Sequence, residues 1–178
     1  RLQRLGWRLR PALRAALRVG PHGSVVGIEL SDAMLRMPKE RAALEGISNL
    51  DLRLGNAEEL EAVPQRYFNA VTVRWGLMYM AAPIAALSNA RRALLPTGVL
   101  VAALWAEPER VPYYTLPRRL LECYRPIPAI DSEAPGTFRY ASLERVVRDF
   151  GDAGFTLDHV EEMDVPVFEA ETAAELVA

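Results

Sequence analysis

Four short apolar segments, residues 24–28, 50–54, 70–73 and 99–105, recur along the chain with helix-forming stretches between them. Strand-length apolar runs alternating with helical stretches predict βαβ units and a parallel sheet. Val99-Leu100-Val101-Ala102-Ala103-Leu104 is apolar at every position, the pattern of a strand covered by helices on both sides. Leu50-Asp51-Leu52-Arg53-Leu54 alternates, so one of its faces is expected to be wetter. Ser31 stands where it can cap a helix over 32–45, with Asp32 at the positive end of the dipole and Gly46 at its close. Pro38 inside that stretch is expected to remove a hydrogen bond and kink or shorten the helix. A second helix covers 84–95, and Pro96-Thr97-Gly98 makes the turn into the strand that follows. Ser142 caps a third helix, with Leu143, Val146, Val147 and Phe150 on one face. Gly151 and Gly154 end it before a last strand at about 156–163. Residues 107–140 differ: Pro108, Pro112, Pro117, Pro126, Pro128 and Pro135 lie there among aromatic residues. An irregular insertion is expected, with a short helix at 116–124.

Composition narrows the class. The 178 residues are 51% hydrophobic and 25% charged, which suits one domain, residues 1–178, with a real core. A net charge of −2 gives no general attraction to nucleic acid or anionic lipid. Arg1, Arg4, Arg8, Arg10, Arg14 and Arg18 crowd the start without an acid, but Leu2, Leu5, Leu9, Leu13 and Leu17 accompany them at helical spacing. That reads as a solvated helix face over residues 1–19, so no nucleic-acid partner is expected. Cys123 is alone, which excludes an internal disulfide framework, suits a reducing cytoplasm and reads as a small buried hydrophobe. No apolar run reaches the roughly 18 residues of a membrane span, and no metal site is expected. The first residue is Arg, and the last residues look like a helix just starting. The pattern therefore predicts a fold incomplete at both ends.

The candidate chemistry begins where the first strand ends. Glu29 follows Gly23-Ser24-Val25-Val26-Gly27-Ile28 and precedes Leu30-Ser31-Asp32. In an open α/β sheet ligands sit at the carboxyl ends of strands, and a carboxylate there can accept two charge-assisted hydrogen bonds from a diol. A solvated acid near a helix start is the alternative. Gly55-Asn56-Ala57 follows the second strand; Asn56 is either plain turn chemistry or an acceptor through its side-chain carbonyl. Arg74-Trp75-Gly76-Leu77-Met78 follows the third strand, as a site lining or as core.

Four segments in order carry a family resemblance. Gly23-x-x-x-Gly27-x-Glu29-Leu30-Ser31-x-x-Met34-Leu35, Gly55-Asn56-Ala57-Glu58-Glu59-Leu60, Tyr67-Phe68-Asn69-Ala70-Val71 and Arg91-Arg92-Ala93-Leu94-Leu95-Pro96-Thr97-Gly98 resemble the successive motifs of class I S-adenosylmethionine-dependent methyltransferases. The subgroup most similar is the small-molecule type that includes quinone-biosynthesis methylases, and the match runs over residues 20–105. The resemblance implies a Rossmann-like, doubly wound, mostly parallel sheet with helices on both faces. It implies an enzyme that transfers a methyl group from S-adenosylmethionine to a small-molecule acceptor. It assigns Glu29 to the ribose hydroxyls and Asn56, where the family usually has Asp, to the adenine amino group, with Leu30 and Ala57 as further cofactor-binding residues. Arg74 and Trp75 fall to the methionine half, as a charge and an apolar wall. Trp105, Glu107 and residues 111–140 would shape the acceptor pocket. Tyr113, Tyr114 and His159 are candidate acid–base groups, with packing or plain surface as the other reading. No catalytic group is singled out, because methyl transfer relies mainly on positioning.

The departure lies at the start. The family's Gly-x-Gly-x-Gly turn lets backbone approach the cofactor, whereas this chain reads Arg4-Leu5-Gly6-Trp7-Arg8-Leu9-Arg10. A methyltransferase-like domain with weak or no cofactor binding is therefore an alternative expectation. An NAD-dependent oxidoreductase is another, but it needs the same glycine turn and draws nothing from the segments at 55–58 and 91–98.

Overall fold

Each apolar segment becomes a strand. The computed structural model describes residues 10–59 and 63–166. The order is α1 (Arg10–Val19), β1 (Val25–Glu29), α2 (Asp32–Leu44), β2 (Leu50–Leu54), β3 (Phe68–Arg74), α3 (Pro83–Ala93), β4 (Leu94–Ala103), α4 (Pro112–Glu122) and α5 (Leu143–Asp152), with short 3-10 turns at Ala57–Glu59, Leu77–Tyr79 and Pro108–Arg110. The expected departure at residues 4–10 lies outside the described residues except for Arg10, where α1 begins.

The strands pair in parallel. Val25 lies opposite Leu50 and Glu29 opposite Leu54; Ala70 lies opposite Val99 and Arg74 opposite Ala103. Among the described residues the strands form two parallel pairs, β1–β2 and β3–β4, as the expected α/β fold requires. Both follow the βαβ rule, since α2 and α3 are the crossovers that parallel neighbours require. Strand β4 starts earlier than expected, at Leu94. Leu94 pairs with Phe68 and the next partners are Ala70 and Val99, so residues 95–98 bulge out where a turn was expected. Only glycine fits at the base of that bulge: a Cβ on Gly98 would lie 2.8 Å from Leu94 Cδ2 and 3.1 Å from the Phe68 carbonyl oxygen.

Coverage of β4 is one-sided. Leu100 and Ala102 join the core, while Val99 and Val101 are 57% and 59% exposed. The two-sided cover read from its sequence is not met by the described residues, because α5 joins α3 on the covered face and α4 packs on the Pro108–Arg110 turn.

Local signals explain most helix ends. Gly46 adopts φ 67° after α2 while the Ile47 N–H donates to Ala42 O at 2.8 Å, a left-handed helix close. Pro38 does not break α2; the helix runs through it with the ring buried, and that burial offsets the missing hydrogen bond. Ser31 and Ser142 stand at the N-caps but make no side-chain cap bond. In α5 the buried positions are Asp149 and Phe150, whereas Leu143 and Val147 are exposed, so the expected apolar face is rotated. Tyr140 causes the rotation by drawing Asp149 inward with a 2.9 Å hydrogen bond. Among the described residues, 156–163 pair with no strand; Leu157, Val160 and Met163 are spaced by three, so pairing would not gather them on one strand face. Cys123 is exposed rather than buried, because it follows α4 at the end that points to solvent.

Two cores result. Leu35 and Leu52 pack with Ala12 and Leu50 under β1–β2; Leu77, Met78, Leu87, Tyr140, Phe150 and Ala153 pack with Val73, Leu100 and Ala102 on β3–β4. One polar side chain ties α1 to the first pair. Asn49 Nδ2 donates to the carbonyls of Ala16, Gly20 and Gly23 at 2.9, 2.8 and 3.2 Å. Asn49→Ala is expected to cost about 1–3 kcal/mol, the range for stranding such partners, in a denaturant melt. A change under about 0.3 kcal/mol contradicts the assignment.

Asp149 is 3% exposed and takes Tyr140, Arg145 and Arg148 as partners. Burial alone would raise its carboxyl, but hydrogen bonds from Tyr140 and Arg148 and the charges of Arg145 and Arg148 outweigh it and hold the group below the ordinary aspartate value. A carboxyl depressed in the folded state contributes stability that is full above the unfolded value near 3.9 and is lost as pH falls through the folded value. Wild type should therefore exceed Asp149→Asn in stability at pH 7, with the gap closing below about pH 4. A gap that stays constant from pH 7 to 2.5 counts against the network.

Candidate active site

Parallel pairing brings Glu29 and Leu54 to the same end of one sheet, and Arg74 and Ala103 to the same end of the other. The loops after β2 and β3 then meet. Glu58 in the Ala57–Glu59 turn accepts a hydrogen bond from the Ala82 N–H just before α3, and Asn89 Nδ2 of α3 donates to Ala57 O at 2.9 Å. The strand ends of the two sheets therefore open onto a shared region.

Glu29 is half-buried at the end of β1. Its Oε1 accepts the Ser31 N–H at 3.1 Å, and its backbone carbonyl accepts the Gly55 N–H at 3.0 Å. The carboxylate is thus oriented through one oxygen, while Oε2 takes no hydrogen bond from the described residues. A fixed carboxylate with a free oxygen at a strand end fits a diol donor. Leu30 beside it is 72% exposed, available as an apolar contact. Asn56 serves its own turn: Oδ1 accepts the Glu58 N–H at 3.0 Å, an Asx-type closure. Its Nδ2 and the second lone pair on Oδ1 stay available.

Arg74 and Trp75 form the other wall. Trp75 adopts φ 52°, a left-handed conformation that is a genuine outlier for a bulky residue. Its indole stacks on Trp105 with ring centroids 4.6 Å apart and planes 7° apart. The Arg74 guanidinium lies 4.0 Å from the centroid of the Trp75 ring, and partial burial lowers its affinity for its proton. Of the segment read as either lining or core, Leu77 and Met78 are core at 1% and 0% exposure, while Trp75 is half-buried at the boundary. Trp105 in turn meets Tyr114 edge-on at 5.4 Å, and Tyr114 meets Tyr113 and Phe138. The segment 111–140 does lie against the strand ends: the Gly136 N–H donates to Met78 O at 2.9 Å and Arg139 Nη1 to Met80 O at 2.6 Å. His159 sits in the exposed stretch after α5 and joins none of these contacts. Sequence reasoning passed over Tyr79 and Thr137, whose hydroxyls lie 3.1 Å apart. Their 58-residue separation leaves no local signal.

Comparison with known proteins bears on this arrangement. Residues 10–117, more than half of the chain, match the family model of a methyltransferase domain. The chain belongs to the class I S-adenosylmethionine-dependent methyltransferase family. The chain is 28% identical over 153 residues to a demethylmenaquinone methyltransferase of Geobacillus kaustophilus, covering 81% of this chain and 65% of that protein. It is 35% identical over 91 residues to a ubiquinone/menaquinone biosynthesis C-methyltransferase of Proteus mirabilis, covering 51% and 36%. It thus spans less than two thirds of either relative. An S-adenosylmethionine-dependent methyltransferase structure from Aquifex aeolicus superposes with a TM-score of 0.62 at 16% identity, covering 84% of this chain and 68% of that one, which shows the Rossmann-like fold. No described helix is long and apolar enough to cross a membrane.

The Trp75–Trp105 stack is testable in isolation. Trp105→Ala removes the ring that holds Trp75 in its strained conformation. Because Trp105 is half-buried, the loss of stability is expected to fall below the roughly 3–5 kcal/mol of a fully buried aromatic, and the exciton couplet of the stacked pair in far-ultraviolet circular dichroism should vanish. Retention of that signal contradicts the stack.

Proposed function

We propose that this chain is a methyltransferase domain that transfers a methyl group from S-adenosylmethionine to a small-molecule acceptor of the quinone kind named for its relatives, in the cytoplasm. The observation that carries the reading is Glu29, oriented by Ser31 and left with one free carboxylate oxygen at the strand end. Glu29 would hold the ribose hydroxyls, with Leu30 against the sugar. Asn56 and Ala57 would border the adenine, Asn56 through the donor and lone pair its turn does not use. Arg74 would face the methionine carboxylate, with Trp75 as apolar wall. The cofactor supplies a methyl group already activated on a sulfonium. What the protein adds is position: it aligns donor and acceptor and keeps water out of the line between them. The exposed free thiol of Cys123 suits a reducing compartment.

Calorimetry with S-adenosylhomocysteine tests the reading without any need for turnover. Wild type should bind at micromolar concentrations. Glu29→Ala should bind about 10- to 100-fold more weakly, as loss of hydrogen bonds to a charged group implies. Absence of binding to wild type at millimolar ligand overturns the reading, and equal affinity of the two proteins removes Glu29 from it.

A further inference from the structure

The aromatic wall leads to a set of hydroxyls that none of the family motifs contains. The rings nearest the strand ends are occupied by one another. Trp75 has Arg74 on its ring and Trp105 stacked on it, and Trp105 also meets the edge of Tyr114. These groups hold one another in place, which fixes the wall that Arg74 and Trp75 present. What remains open is the rim: Tyr79, Tyr113 and Tyr114 are 46%, 44% and 36% exposed. On that rim three hydroxyls converge from three separate segments. Tyr79 comes from the turn after β3, Tyr114 from α4 and Thr137 from the loop before α5. Tyr79 and Thr137 hydroxyls are 3.1 Å apart, and the Tyr114 hydroxyl lies near both. Burial, together with the neighbouring Tyr79, pushes the Tyr114 phenol above its ordinary value, so at neutral pH it is a proton-bearing donor. Three hydroxyls can donate three hydrogens. The Tyr79–Thr137 contact uses one of them; each oxygen keeps a further acceptor lone pair, and the remaining protons can rotate outward.

We propose that the Tyr79–Tyr114–Thr137 hydroxyl cluster, on the rim of the Trp75–Trp105 support, positions the acceptor by gripping an oxygen on its ring. The inference rests on the methyltransferase reading and deepens it by naming the residues that read the acceptor. Tyr114 is the central member. Its ring is fixed edge-on by Trp105 and by Phe138 at 6.1 Å, so its hydroxyl is aimed by packing, and the ring beside it offers a face to a planar ligand. Offset or edge-to-face aromatic contact favours a flat partner over a saturated one, and the hydroxyls discriminate between a ring with an oxygen and one without. Tyr114 acts here as a positioning residue: it sets where the ring lies and leaves the transfer itself to the alignment of the donor.

The test uses two probes, 2-naphthol and naphthalene, titrated against the whole chain by saturation-transfer NMR with S-adenosylhomocysteine present. Wild type should bind 2-naphthol at least tenfold more tightly than naphthalene. Tyr114→Phe keeps the ring and loses the hydroxyl. It should weaken 2-naphthol about tenfold, leave naphthalene unchanged and leave S-adenosylhomocysteine affinity unchanged. Tyr79→Phe should shift 2-naphthol in the same direction by a smaller factor. Equal affinity of wild type for the two probes overturns the inference while cofactor binding stands. So does a Tyr114→Phe protein that weakens both probes alike, since a structural role would do that. Loss of S-adenosylhomocysteine binding by wild type overturns the underlying function as well.

Discussion

The two strand pairs share no hydrogen-bond ladder among the described residues, so the site depends on the contact that joins them. Among the described residues the Ala57–Glu59 turn docked on α3 makes that contact. Glu58 receives the Ala82 N–H and Asn89 donates to the Ala57 carbonyl. A carboxylate at the N-terminus of α3 also faces the positive end of the helix dipole, an interaction of about 0.3–1 kcal/mol on top of the hydrogen bond. Through this dock the end of β1–β2, with Glu29 and Asn56, is held beside the end of β3–β4, with Arg74 and Trp75. The same few residues thus serve assembly and ligand geometry, and Asn56 does both in one turn.

Trp75 shows how a strained residue is kept. A bulky residue in the left-handed region costs about 1–3 kcal/mol. An aromatic stack contributes about 0.5–1.5 kcal/mol, and a cation over an indole about 0.5–2 kcal/mol depending on solvation. The two sides are of similar size, so the conformation depends on Arg74 and Trp105 together. Strand geometry supplies both partners: Arg74 is the last residue of β3, its neighbour Ala103 is the last of β4, and the Trp75 N–H bonds to the Ala103 carbonyl at 2.9 Å. This positions the aromatic wall at the carboxyl edge where open α/β sheets take their ligands.

Much of this was legible in the chain, because each apolar run carries its own strand signal. Residues 50–54 form β2 with the expected bounds, and Gly46 ends α2 as its freedom at positive φ allows. Glu29 was visible because a carboxylate closing an apolar run, followed by Ser31 and Asp32, marks a strand-to-helix junction. Trp75 and Trp105 could be placed at strand ends, but not stacked on one another. What was not legible depends on tertiary partners. The rotation of α5 follows from Tyr140 reaching Asp149, nine residues away. Residues 156–163 carry strand-like residues but gain no partner among the described residues. The Tyr79–Tyr114–Thr137 cluster forms only when two loops and α4 converge, and Cys123 is exposed because of where α4 ends, which its residue type does not reveal.

The central claim is that the free oxygen of Glu29 recognises a ribose. The most direct measurement compares S-adenosylhomocysteine with its 2′-deoxyribose analogue on wild type and on Glu29→Ala. Wild type should prefer the ribose compound by about tenfold or more, and the variant should bind the two alike, since the hydroxyl has then lost its charged acceptor. The same preference in both proteins would contradict the account.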